Sequence, residues 1–274
     1  MTVRRVITKK QPKKIGKCIY CGTTEGKLSE EHITPYALNG ALTLLKASCT
    51  ACQTITSAIE KTVLRGELLA ARAALKTQTR RPKERLKPYP MLIEQNGSIK
   101  QINVTWEHHW KVIRLPIFPV PACIDGRPYT SGIQSTSMDV FELHERADDI
   151  AKKHGADRIV PPELDVKSFA RFVAKMAYGY AVERHGLEAF ERVFVLPAIL
   201  GTSDDIGRWV GCSDIREFGV RNCNVSLGFR ILPGDALLVK LKMFPLFNGA
   251  EYIVIVGQIK PLYRDYVQSR GDDG

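Results

Sequence analysis

Apolar and polar positions along this chain follow two periods, and the change from one to the other marks its elements. Lys27–Ile33 reads as extended, Pro35 to Gly40 as a turn, and Leu42–Ala47 as a β-compatible apolar run. From Thr50 the period lengthens: Ile55, Ile59 and Val63, spaced by four, predict a helix that Gly66 kinks or ends, and Glu67–Lys76 continues in alanine-rich helical style. Thr77–Pro90, with Pro82, Pro88 and Pro90 among basic residues, reads as a linker. Asn96-Gly97 between two β-like runs predicts a hairpin, and Trp106–Ile117 a further strand. Met138–Lys153 reads as a helix capped by Ser137 and stopped near Gly155. Val166–His185 is the clearest helix, with Phe169, Phe172, Val173, Met176, Ala177, Tyr180 and Ala181 forming a core stripe. Val225–Leu232, Ala236–Met243 and Tyr252–Ile259 read as antiparallel strands. The expected class is α+β: an arm (1–17), a small strand-and-helix unit (18–76), a linker (77–90) and a larger α+β domain (91–274).

Composition narrows the class and charge adds a partner. With 274 residues, 44% hydrophobic and 25% charged, the chain is long enough for a substantial core and is neither disordered nor collagenous. No apolar run approaches the ~18 residues of a spanning helix, and the first residues lack the apolar stretch of a secretory signal. The expectation is a cytoplasmic protein without a membrane partner. The net charge of +11 is concentrated at one end. Residues 1–17 carry +7, 18–60 carry −2, 61–87 carry +7, and the remaining chain carries −1. Such a field attracts polyanions, so nucleic acid is the expected partner. Arg4, Arg5, Lys9, Lys10, Lys13 and Lys14 of the arm, with Lys61 and Arg65 of the helix, are the candidate phosphate contacts. Arg72 and Lys76 extend the helical stripe; a merely solvated basic face is the competing reading.

Cysteine spacing supplies a candidate metal. Cys18-Ile-Tyr-Cys21 and Cys49-Thr-Ala-Cys52 are two CxxC knuckles separated by 27 residues. Two residues between cysteines let both thiolates face one ion, and two knuckles make the S4 shell of structural zinc. The separation leaves room for a folded segment between them. Cys123, Cys212 and Cys223 are isolated and read as small buried hydrophobes.

Between the knuckles lies Glu30-Glu31-His32-Ile33-Thr34-Pro35-Tyr36-Ala37-Leu38-Asn39-Gly40. The run CxxC, Glu-His-Ile-x-Pro-x-x-Leu-x-Gly, Ala-Ser-Cys-x-x-Cys resembles the HNH endonuclease family, in the branch whose ββα-metal finger is braced by a four-cysteine zinc. The resemblance covers residues 18 to about 65 and implies a treble-clef-like finger that hydrolyses phosphodiester bonds of DNA, with RNA the other substrate such a finger serves. It implies His32 as general base, Glu31 as a catalytic residue that ligates a catalytic divalent ion, commonly Mg2+, and zinc on Cys18, Cys21, Cys49 and Cys52. The position after the last cysteine, which in the family supplies another ligand, is Gln53 rather than Asn or His, and the family's middle Asn has no clear match; Asn39 reads as a turn residue beside Gly40. A non-catalytic zinc-dependent DNA-binding protein with a degenerate site is the alternative. Glu107-His108-His109 between Trp106 and Trp110 is a poorer metal candidate, because adjacent residues on a strand face opposite ways. His144, His154 and His185 read as lying on or beside polar helix faces.

Overall fold

The computed structural model describes residues 11–78, 88–129, 131–213 and 223–268. The N-terminal unit follows the sequence pattern closely. Strand β1 (Lys13–Lys14) runs parallel to β3 (Thr43–Cys49), which pairs antiparallel with β2 (Leu28–His32) in a sheet of order β1-β3-β2. The register of β2 on β3 slips between Ser29 and Glu31, and Lys46 opposite that slip has a positive φ of 51°, as a bulged strand requires. The connection from β2 contains a 3-10 turn, Tyr36–Leu38, closed by Asn39 in the left-handed conformation. Gly40 has no alternative there: a Cβ would stand 2.3 Å from the carbonyl oxygen of Thr34. Helix α1 (Thr50–Arg65) follows directly from β3 and buries Cys52, Thr56, Ile59, Val63 and Leu64. Gly66 ends it, and α2 (Leu69–Ala74) completes the unit.

Strands β4 (Tyr89–Gln95) and β5 (Ser98–Val104) form the expected hairpin, with Asn96 and Gly97 both at positive φ as a two-residue turn demands. Tyr89 and Pro90, expected in the linker, already belong to β4; residues 79–87 of that stretch lie outside the described residues. Trp106–His108 is a 3-10 turn rather than strand, and β6 (Val112–Ile117) begins only beyond it. Beyond a short helix, α3 (Ala122–Asp125), the expected helix Met138–Lys153 is divided between a strand and a shorter helix. Ser137–Glu142 is strand β7, antiparallel to β6, and only Ala147–Lys153 is helix, α4. Pairing with β6 overrides the local helical pattern. Glu142 starts the helix from outside it, its carboxylate accepting the amide of Ala147 at 2.6 Å. Strand β8 (Arg158–Val160) pairs with β4, and β4, β5, β8 and α4 enclose a small core of Met91, Ile93, Val104, Ile150, Ala151 and Ile159.

Helix α5 (Val166–His185) matches its expected span and is buried nearly all round, so it is the centre of the molecule rather than a surface helix. Asp165 caps it, accepting the amide of Ser168 at 2.8 Å. Beyond it lie β9 (Phe190–Val193), α6 (Leu196–Leu200), α7 (Ile206–Trp209), β10 (Val210–Cys212), β11 (Val225–Leu232), β12 (Ala236–Met243), β13 (Glu251–Ile259) and α8 (Arg264–Gln268). β10, β13, β12 and β11 are neighbours in that order, with β9 also on β13, and the three strands read from the sequence form the body of this antiparallel sheet. One core runs from the sheet (Leu237, Val239, Tyr252, Val254) through α5 (Phe169, Phe172, Met176, Tyr180) to the N-terminal unit (Ile19, Ile33, Leu44, Ile59, Val63). The N-terminal unit is thus built onto α5.

Candidate functional site

The four paired cysteines converge. A tight turn sends the chain back after Cys18, whose carbonyl accepts the amide of Gly22 at 2.9 Å while its own amide donates to the carbonyl of Thr23. Gly22 takes the positive φ this needs. On the other side, Cys49 ends β3 and caps α1, and Cys52 sits in the first helical turn. All four Sγ atoms lie within 4.8 Å of one another, and those of Cys21 and Cys49 are 3.7 Å apart. A tetrahedron with ~2.3 Å metal–sulfur bonds has edges of about 3.8 Å, so the thiols fit a metal ion such as zinc. The backbone amide of Cys52 donates to Cys49 and lowers its thiol to about 7, favouring the thiolate a metal needs, whereas burial pushes Cys52 up. Among the described residues this is the one group of three or more Cys, His, Asp or Glu side chains close enough to share an ion. Cys212 is buried as expected, but Cys123 and Cys223 are exposed.

His32 is the last residue of β2, half-buried and opposite Thr43 of β3. Glu31 beside it turns inward and is 4% exposed. Its carboxylate lies 2.6 Å from the ammonium of Lys175 on α5 and accepts the hydroxyl of Tyr20 at 3.0 Å. The same ammonium reaches Glu60 of α1 and the backbone carbonyl of His32, each at 2.5 Å. Burial alone would push Lys175 down, but the carboxylates of Glu31 and Glu60 outweigh it and hold the ammonium above its ordinary value. Burial, then the charge of Glu31, drives the Tyr20 hydroxyl well up. Gln53 is exposed in the first turn of α1. The fold therefore places His32, Glu31 and Gln53 on the strands and helix the sequence foresaw, with Glu31 given to a lysine.

Lys175 was invisible as a site residue. The available signal was a lysine interrupting the otherwise apolar run Phe172–Val182, where a charge must find counter-ions. Among the basic candidates, Lys14, Lys61 and Arg65 are exposed. The ammonium of Lys13 instead donates to the carbonyl of Glu183 on α5. Arg72 also points inward, donating to the carbonyls of Ala37 at 3.2 Å and Leu64 at 2.7 Å. Arg4, Arg5, Lys9 and Lys10 lie outside the described residues. His109 is buried, with a ring nitrogen 3.2 Å from the carbonyl of Pro90, and burial lowers its pKa. His185 is buried against Phe229 rather than on a polar face. No described helix is long and apolar enough to cross a membrane.

Comparison with known proteins finds no significant similarity: no family model, no curated protein and no solved structure matches this chain.

Proposed function

We propose that this protein is an HNH-type, metal-dependent endonuclease that hydrolyses phosphodiester bonds of DNA, with His32 as general base. The observation that carries the reading is the placement of His32 at the end of β2, in a strand–loop–strand–helix unit whose knuckle and first helical turn bring four thiols together. An imidazole titrates near neutrality and takes a proton from water at physiological pH, which is the step that generates the attacking hydroxide. Zinc on the four cysteines would fix the start of α1 against the knuckle. The exposed cations Lys14, Lys61 and Arg65 would hold the phosphate backbone, contacts that position without reading sequence.

A catalytic divalent ion such as Mg2+, when bound, would neutralise charge building on the phosphate. The residues here fit such an ion poorly, because Glu31 is committed to Lys175, which leaves Gln53 as the one exposed oxygen among the ligands the resemblance implies. No step is assigned through it. The same pairing favours the second reading, a non-catalytic zinc-dependent DNA-binding protein. Supercoiled plasmid incubated with magnesium, manganese or chelator separates the two: nicking that requires an ion supports the nuclease, and binding without nicking in every condition supports the binding protein.

A further inference from the structure

We propose that Lys175 is a positioning residue for His32, so that the long helix of the second half of the chain holds the reactive strand in place. The inference rests on the nuclease reading of His32. A buried ammonium has three donors and must satisfy them inside the protein. Here they meet the His32 carbonyl, Glu31 of the same strand and Glu60 of α1. The side chain of Lys175 is only 2% exposed and that of Glu31 5%, so this is an interior junction rather than a surface pair. It joins three elements at one point: the end of β2, the middle of α1 and the middle of α5.

The same helix reaches the strand again one turn later. A Cβ at Gly179 would stand 3.3 Å from Cγ1 of Ile33, so the missing side chain lets α5 approach the residue after His32. Between these two contacts, the Tyr178 hydroxyl donates to the carbonyl of Ile19 in the cysteine knuckle. Helix α5 thereby grips both the knuckle and residues 31–33. Glu31 becomes the counter-ion of the clamp rather than a ligand of a catalytic ion, and the second half of the chain acquires a role that none of its motifs announces. Charges buried this way are costly to separate, so the strand end has one arrangement.

The test uses the full chain. Lys175→Met alone would leave two carboxylates uncompensated, so it is made together with Glu31→Gln and Glu60→Gln. Circular dichroism reports the fold, and cobalt bound at the four thiolates reports that the cysteine site is intact. Two measurements then address position: the His32 imidazole resonances, assigned with His32→Gln, and cleavage resolved into kcat, KM and half-saturating magnesium. The clamp predicts shifted His32 resonances and a kcat lower by about 10²-fold, the scale of an ångström-sized misplacement, with KM and half-saturating magnesium unchanged. Unchanged resonances and kcat in a folded variant would overturn it, as would a raised half-saturating magnesium with unshifted resonances, which would make Glu31 an ion ligand. If the triple variant does not fold, Glu60→Gln alone is read the same way, with smaller changes expected and their absence overturning the proposal. If the wild type cleaves nothing, the nuclease reading fails by itself, and the resonances alone decide whether Lys175 positions His32.

Discussion

Arg114 of β6 and Glu67, between α1 and α2, form a buried pair with Nη1 and Oε2 3.4 Å apart. The guanidinium is shared, since Nη1 also donates to the carbonyl of Pro162 at 3.2 Å. Burial therefore prevails over the Arg114 charge and raises the Glu67 carboxyl from 4.5 to about 7. A raised folded-state pKa means that the native protein holds a proton the unfolded chain has released. Stability from this group is complete below about pH 4.5 and is lost as pH rises through about 7, by on the order of 3 kcal/mol. Glu67→Gln should remove that slope, which chemical denaturation at pH 5 and pH 8 would measure. An equal slope in both proteins would refute the assignment.

Removing one thiolate should empty the metal centre. Cys49→Ser is expected to lower zinc content from one ion per chain to a small fraction and to lower the melting temperature, because metal binding is folding free energy at such sites. Elemental analysis of protein prepared without chelators checks the first point and calorimetry the second. Much of the N-terminal unit is buried against α5, through Ile33, Leu44 and Val63, so the helix and large sheet should survive the loss.

The exposed cations of α1 should act through phosphate. Lys61→Gln with Arg65→Gln removes two charges without touching the core. Each lost phosphate contact flattens the dependence of log affinity on log salt by about 0.9, so the slope should fall by about 1.8, equally on unrelated sequences. Fluorescence anisotropy across a salt series gives the slope. An unchanged slope would make this a solvated helix face.

Gln53 stands where the proposed HNH reading expects Asn or His. If its exposed amide contributes an oxygen to a divalent ion, Gln53→Ala should lower cleavage and raise half-saturating magnesium by roughly tenfold, while Gln53→Asn keeps or raises activity. A magnesium titration of the alanine variant that overlays the wild type would end the metal role at this position.

Much of the N-terminal unit was legible because short-range chemistry dictates it. The knuckles announce their own turns, the four-residue spacing of Ile55, Ile59 and Val63 announces α1, and Asn39 and Gly40 mark a turn that sterics demand. Ser137–Glu142 was misread because its strand exists through β6, a partner that local periodicity does not display. Glu31 illustrates the same limit within the site. Its place on β2 could be read, but its partner is 144 residues away on α5, and that partner decides which way its charge is spent. His185 was misplaced for the same reason, since it is settled by a contact across the chain with Phe229.

On the nuclease reading, His32 performs chemistry rather than holding structure. Single-turnover cleavage of a labelled DNA duplex, with binding measured in parallel, compares the wild type with His32→Ala. A general base at this position predicts DNA affinity and zinc content equal to wild type and a cleavage rate lower by about 10²–10⁴-fold. Equal cleavage by the two proteins at matched binding would contradict it.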